Sequence, residues 1–196
     1  MNELPRLWLL RHGETEWSRS GQYTGLTDLP LTAEGEEQAR GAGGRLAAVR
    51  EAGTAFDLVM TSPLQRARRT AELAGFPDAE QVPWAHEWDY GGYEGVNSAD
   101  VRAENPSYLI WDDGVPGGET LEQVGARADS VIDRVRTELA GGGNALLVSH
   151  GHFSRVVTAR WLGLDAGYGR HFILGTAGLC RLGWDKRSPA IEAWGL

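Results

Sequence analysis

The chain has little cysteine, no long apolar run and no excess of positive charge, and each shortage narrows what it can be. Cys180 is the single cysteine, so no intrachain disulfide or multi-cysteine metal site can form. Nothing therefore points to an oxidising compartment, and the cytoplasm is the expected location. No basic stretch followed by a long apolar run opens the sequence, and LWLL at 7–10 is far too short to span a bilayer; neither secretion nor membrane insertion is expected. The net charge of −8 repels nucleic acid and anionic membranes over roughly a Debye length. An anionic ligand then has to be captured by local arginines, of which Arg11, the group Arg66, Arg68 and Arg69, and Arg155 are the candidates. The five histidines, His12, His86, His150, His152 and His171, form no H-E-x-x-H pattern, so neither a metal nor another cofactor is expected. No repeat or low-complexity tract occurs.

What is present suits an ordinary globular chain. Its 196 residues, 41% hydrophobic and 23% charged, fit one domain, 1–196, able to bury a core without staples. The apolar run 7–10, followed by Arg-His-Gly, reads as a buried parallel strand opening into a loop at its C-terminal end. Residues 33–49 read as a helix with Thr32 as N-cap, although Gly41, Gly43 and Gly44 interrupt it. DLVMTS at 57–62 is a second buried strand, and Pro63 is placed to begin the helix PLQRARRTAEL. Residues 84–118, with Trp84, Trp88, Tyr90, Tyr93, Tyr108 and Trp111 among glycine, proline and acids, read as a partly helical cap over a site. A helix over 119–139, a strand at 145–150, a helix from about 153 to 162 and two closing strands at 178–184 and 190–195, turning around Ser188 and Pro189, complete the pattern. Trp184 and Trp194 either pack internally or form a dimer surface, and the oligomeric state stays open.

Strands alternating with helices predict an α/β fold, a three-layer αβα sandwich with a largely parallel central sheet and one antiparallel edge strand. Ligands of such folds sit at the carboxyl ends of the strands. His12 and His150 both fall at such ends. At the first of them a nucleophilic imidazole would stand beside Arg11, and Gly13 would let a phosphoryl group approach the backbone. Phosphoryl transfer asks mainly for in-line positioning and for cations around the equatorial oxygens, which Arg11 and Arg66 can supply with their planar forks. Those cations disfavour imidazolium, so His12 should stay neutral. His150 can donate to the transferring oxygens.

RHGET at 11–15, SPLQRARRT at 62–70, HEWDYGGYEG at 86–95 and VSHGH at 148–152 together resemble the histidine phosphatase superfamily, also called phosphoglycerate mutase-like, in order and over nearly the whole chain. The resemblance implies that His12 becomes phosphorylated, that Arg11 and Arg66 hold the phosphate, that His150 is the second histidine, and that Glu87 is the proton donor. Glu94 is the alternative acid. One carboxyl group is needed twice, to protonate the leaving alkoxide and to deprotonate the water that attacks phosphohistidine. Arg68 and Arg69 read as a solvated helix face, and His86 as structural.

A narrower likeness, to the fungal sedoheptulose-1,7-bisphosphatases, lies in EWSRSGQYTGLTDLPLT at 16–32, EWDYGGYEG at 87–95, the WDDG and GGET pieces at 111–120 and HGHFSR at 150–155. It implies that Ser18, Tyr23, Thr24, Tyr90, Gly151 and Arg155 line the substrate side, with Arg155 on a second phosphate. The expected activity is metal-independent hydrolysis of a phosphorylated small metabolite through phosphohistidine, a sugar bisphosphate such as sedoheptulose 1,7-bisphosphate being the favoured substrate. A broad-specificity phosphatase and a cofactor-dependent phosphoglycerate mutase are the alternatives. Typical mutases carry Arg-His-Tyr after the acid, where this chain has Trp88, Asp89 and Tyr90; an acid there repels a phosphoglycerate carboxylate. A non-catalytic binding module is disfavoured because every catalytic position is filled.

Overall fold

The computed structural model describes residues 3–196. In chain order the elements are β1 (Arg6–Arg11), α1 (Glu16–Ser20), α2 (Ala33–Glu51), β2 (Leu58–Thr61), α3 (Gln65–Leu73) and β3 (Glu80–Gln81). They continue with α4 (Ser98–Glu104), α5 (Ile110–Asp113), α6 (Leu121–Glu138), β4 (Asn144–Ser149), α7 (Gly151–Trp161), β5 (Leu179–Asp185) and β6 (Ser188–Ala193), with short 3-10 turns at Pro83–Ala85, Gly91–Tyr93 and Ala166–His171.

The six strands form one sheet in the order β3-β2-β4-β1-β5-β6. Five of them run in one direction, β3, β2, β4 and β1 pairing in parallel, and the reversed strand is β5, one place in from the edge, pairing antiparallel with both β1 and β6. The apolar runs of β1 and β4 follow from burial on both faces. Leu7 and Leu9, with Ala145 and Leu147, enter a core shared with α6 and α7. Trp8 and Leu10, with Leu146 and Val148, enter a second core under α2 and α3. The result is the three-layer α/β fold with a mostly parallel sheet. Among the described residues no helix is long and apolar enough to cross a membrane.

Several boundaries differ from the sequence reading for local reasons. Pro63 does not begin α3: Leu64 is the N-cap and the helix starts at Gln65, so Arg66 sits in its first turn. The glycines of α2 do not break it, because Gly43 lies where a Cβ would come within 2.9 Å of the Ala74 Cα, and a small residue lets α2 approach the end of α3. The closing turn falls at Lys186 and Arg187, with Ser188 and Pro189 already in β6. Trp184 packs against Trp161 at 5.4 Å and donates to the Pro5 carbonyl, while Trp194 packs at a tilt against Phe172 and donates to the Ile173 carbonyl. Both tryptophans therefore pack within the chain. Over residues 84–118, Trp88, Tyr90, Tyr108 and Trp111 are buried in the α6–α7 core, and Trp84 is exposed.

Candidate active site

Sheet register brings the two histidines together. β1 and β4 are parallel neighbours with Arg11 opposite Ser149, and the His12 N–H extends the ladder to the Ser149 carbonyl at 2.9 Å. The next residue of each strand is a histidine. Their ring centroids lie 5.3 Å apart, tilted 63°.

The proton positions follow from the partners. A carbonyl can only accept, so Nδ1 of His12, 2.7 Å from the Gly13 carbonyl oxygen, carries the proton and Nε2 is the bare nitrogen. Guanidinium can only donate, so Arg66 Nε, 3.2 Å from His150 Nδ1, fixes the opposite tautomer there. The His150 Nε2–H then donates to the Ser62 hydroxyl at 2.7 Å. Desolvation holds both rings well below the usual histidine range, with Arg66 and then Arg11 adding to it at His12, and Arg66 the next cause at His150. Both imidazoles are neutral at pH 7.

A cleft of about 210 Å³ opens over His12. It is lined by Arg11, Ser18, Tyr23, Thr24, Glu87, Tyr90, Gly151 and Arg155, and by His152 and Ser98, which the sequence reading had not assigned to it. Arg66 and His150 are not on its wall; both are fully buried behind His12. Besides His150, Arg66 donates to the carbonyls of Thr24, Gly25 and Thr27, which pins the substrate-side loop to α3. Arg11 donates from Nη1 to the Leu174 carbonyl at 2.6 Å, and its buried Nε has no acceptor among the described residues.

Two glycines of the site stand at close approaches. A Cβ at Gly13 would stand 2.1 Å from the Gly35 carbonyl oxygen, so this glycine admits the first turn of α2, where the sequence reading had it admit a phosphoryl group. A Cβ on Gly151 would come within 3.2 Å of the Arg11 guanidinium carbon; here the missing side chain makes room for the cation.

Glu87 is buried at the mouth of α7. Its Oε1 accepts from the N–H of Trp88 at 2.9 Å and of Phe153 at 2.8 Å, and its Oε2 from the N–H of His152 at 3.0 Å. The carboxylate thus takes two of the N–H groups that a helix start leaves without partners. Glu94 is turned elsewhere: it accepts from the N–H of Gly25 and of Thr27 and holds the substrate-side loop. Ser18 closes a capping box with Thr15 at the start of α1. Arg155 stacks over Trp111 at 4.8 Å and donates from Nε and Nη2 to the carbonyls of Gly169 and Arg170, and among the described residues its Nη1 has no hydrogen-bond partner. His86 contacts the Glu87 carbonyl through Nδ1, and Arg69 bridges Glu36 and Glu72, while Arg68 is exposed on the surface of α3. Among the described residues no three His, Cys, Asp or Glu side chains gather as a metal site.

His152 is the residue the sequence reading passed over. It stands 2.6 Å from the Tyr90 hydroxyl through Nδ1, and its ring lies against those of Trp88, Tyr90 and Trp111 at 6.2, 5.8 and 5.1 Å. The first-turn position in the run HGHFSR was its one signal in the sequence, since Tyr90 lies 62 residues away.

Comparison with known proteins gives one consistent picture. The family profile of the histidine phosphatase superfamily (branch 1) matches residues 7–196. An acid phosphatase of Mycobacterium tuberculosis is 40% identical over 191 residues, 97% of this chain and 92% of that protein. The sedoheptulose 1,7-bisphosphatase of Saccharomyces cerevisiae is 36% identical over 186 residues, 82% of this chain and 68% of that protein. Among solved structures, that of a Mycobacterium tuberculosis open reading frame superposes with a TM-score of 0.92 at 39% identity, covering 98% of this chain and 97% of that one.

Proposed function

The chain belongs to the histidine phosphatase superfamily and is a phosphatase, and we propose that it hydrolyses phosphomonoesters of small metabolites in two steps through a phosphohistidine at His12. The observation that carries this reading is the bond from His12 Nδ1–H to the Gly13 carbonyl, which leaves Nε2 unprotonated in a ring that lines the cleft.

In the first step Nε2 attacks phosphorus, the ester P–O bond breaks, and Glu87 gives its proton to the departing alkoxide. In the second, Glu87 takes a proton from water, the water oxygen attacks phosphorus, the P–N bond breaks, and inorganic phosphate leaves. Arg11, with its unengaged Nε, meets the equatorial oxygens. The His150 Nε2–H adds a neutral donor when it leaves Ser62, and Arg66 acts through the field it lays on both rings and through the His150 tautomer. Because arginines supply the positive charge, no metal or other cofactor takes part, and turnover survives EDTA. The site lies in one domain, 1–196, with 84–118 as its cap. Its ligand is a small molecule rather than nucleic acid, and the single, buried Cys180 fits a cytoplasmic enzyme.

For substrate, the likeness to a sedoheptulose 1,7-bisphosphatase and Arg155 on the cleft wall support a sugar bisphosphate. The commitment of two Arg155 nitrogens to backbone carbonyls favours a second reading, a broad-specificity phosphatase. Rapid quench with a ³²P-labelled phosphomonoester tests the mechanism: an acid-labile, base-stable adduct forms on the wild type and not on His12→Ala. Equal labelling of the two proteins refutes it.

A further inference from the structure

The cleft is rich in donors. Arg11 and Arg155 line it with the hydroxyl groups of Ser18, Tyr23, Thr24 and Ser98, and Glu87 is the one carboxyl group on its wall. Tyr90 stands on the same wall, 3% exposed, with His152 Nδ1 2.6 Å from its hydroxyl oxygen. The direction of that bond decides what Tyr90 offers the ligand.

Both partners are neutral. Desolvation pushes the Tyr90 phenol well above its usual range, helped by Glu87, and pushes His152 down to about 3, helped by Arg155 and Arg11. Between a neutral phenol and a neutral imidazole, the phenol O–H is the stronger donor and the bare ring nitrogen the stronger acceptor, and 2.6 Å suits an O–H donor. The Tyr90 proton is therefore spent on His152. What the hydroxyl oxygen has left is lone pairs, next to Glu87.

A lone pair cannot hold a phosphoryl oxygen, which is itself an acceptor. It can hold a hydroxyl hydrogen. We infer that Tyr90, oriented by His152, accepts a hydrogen bond from a hydroxyl of the leaving alcohol close to the ester carbon, so that the enzyme selects phosphomonoesters of polyols. His152 is a positioning residue in this arrangement, and its aromatic surround of Trp88 and Trp111 keeps it in place. The inference rests on the phosphatase reading above and adds the class of alcohol.

The test compares glycerol 3-phosphate with 3-hydroxypropyl phosphate, which lacks the hydroxyl adjacent to the ester carbon, with p-nitrophenyl phosphate run in parallel. The ratio of kcat/KM for the first two should favour glycerol 3-phosphate by roughly three- to tenfold in the wild type, the span of one neutral hydrogen bond. It should fall to about 1 in Tyr90→Phe and in His152→Ala, whatever the overall rate of each variant. His152→Asn, whose amide oxygen reaches the place of Nδ1, should recover most of the preference, which a merely structural role for His152 does not require. The ratio should also stay flat from pH 5 to pH 9, because neither partner titrates there. A wild type that hydrolyses p-nitrophenyl phosphate but shows no preference within the pair, or a Tyr90→Phe variant that keeps the preference, overturns the inference. A wild type that hydrolyses neither p-nitrophenyl phosphate nor either alkyl phosphate overturns the phosphatase reading itself.

Discussion

Arg66 Nε donates to Nδ1 of His150 across 3.2 Å, and through that bond a residue absent from the cleft wall decides which nitrogen of the second histidine holds a proton. Arg66→Lys keeps the charge but loses both the Nε–H and the fork that holds the carbonyls of Thr24, Gly25 and Thr27. We expect kcat to fall by roughly 10²-fold or more, the scale of losing one preorganised donor. Arg66→Ala should also lose about 3 kcal/mol of stability, because buried carbonyls lose their donor. Urea titration of the two variants beside steady-state kinetics separates the effects. A kcat within threefold of wild type in Arg66→Lys would contradict the tautomer argument.

Glu87 and Glu94 should behave differently. Glu87→Gln should slow turnover by roughly 10²–10⁴-fold, and less for p-nitrophenyl phosphate than for an alkyl phosphate, since a good leaving group needs less help from an acid. Glu94→Gln should instead loosen the loop at Gly25 and Thr27, raising KM and lowering the melting temperature with little leaving-group dependence. The opposite assignment of these two patterns would make Glu94 the acid.

Stability should depend on pH through three histidines held neutral. His12, His150 and His152 have folded pKa values below the ordinary 6.5, that of His152 at about 3. Below pH 6.5 the unfolded chain binds protons that the folded one refuses, so stability is full above that pH and falls as pH drops toward the folded values. Each ring contributes about 1.4 kcal/mol per pH unit within its window. Urea unfolding at pH 7, 6 and 5 reads the slope, and replacing His152 by Asn should make it shallower. An unchanged slope would mean that His152 is protonated in the folded protein.

Arg155 has one guanidinium nitrogen, Nη1, left for a ligand after Gly169 and Arg170 are served. Arg155→Ala should raise KM for sugar bisphosphates by roughly tenfold more than for the matching monophosphates, the worth of one charge-assisted bond. A contact made equally in the ground and transition states shows in KM. Fructose 1,6-bisphosphate and fructose 6-phosphate form a suitable pair. If both lose equally, Arg155 is a strap for the 166–171 turn and the enzyme is a broad phosphatase.

Much of this site could be read from the chain, for identifiable reasons. Apolar runs buried on both sheet faces mark β1 and β4 without ambiguity, and a histidine directly after each run falls at a strand end. What the runs do not encode is that these two strands are neighbours in register, so the 5.3 Å approach of the rings had to come from the fold. The helix α1 went unread because five residues show no apolar period, and β3 because two residues show no alternation. The reason for Gly13 lay in the approach of Gly35, twenty-two residues later. His152 looked like any histidine in the first turn of a helix until Tyr90 was seen to reach it.

The first turn of α7 serves four separate groups: His150 precedes it, Gly151 gives way to Arg11, the His152 side chain holds Tyr90, and the N–H groups of His152 and Phe153 hold Glu87. One backbone segment therefore sets the positions of His150, Arg11, Tyr90 and Glu87 together. Random change in this stretch would upset several groups at once, whereas Ser98 and Ser18, elsewhere on the cleft rim, each stand on a short helix of their own. New substrate ranges in such a scaffold should arise by drift along that rim, with the α7 turn passed on nearly intact between descendants of different specificity.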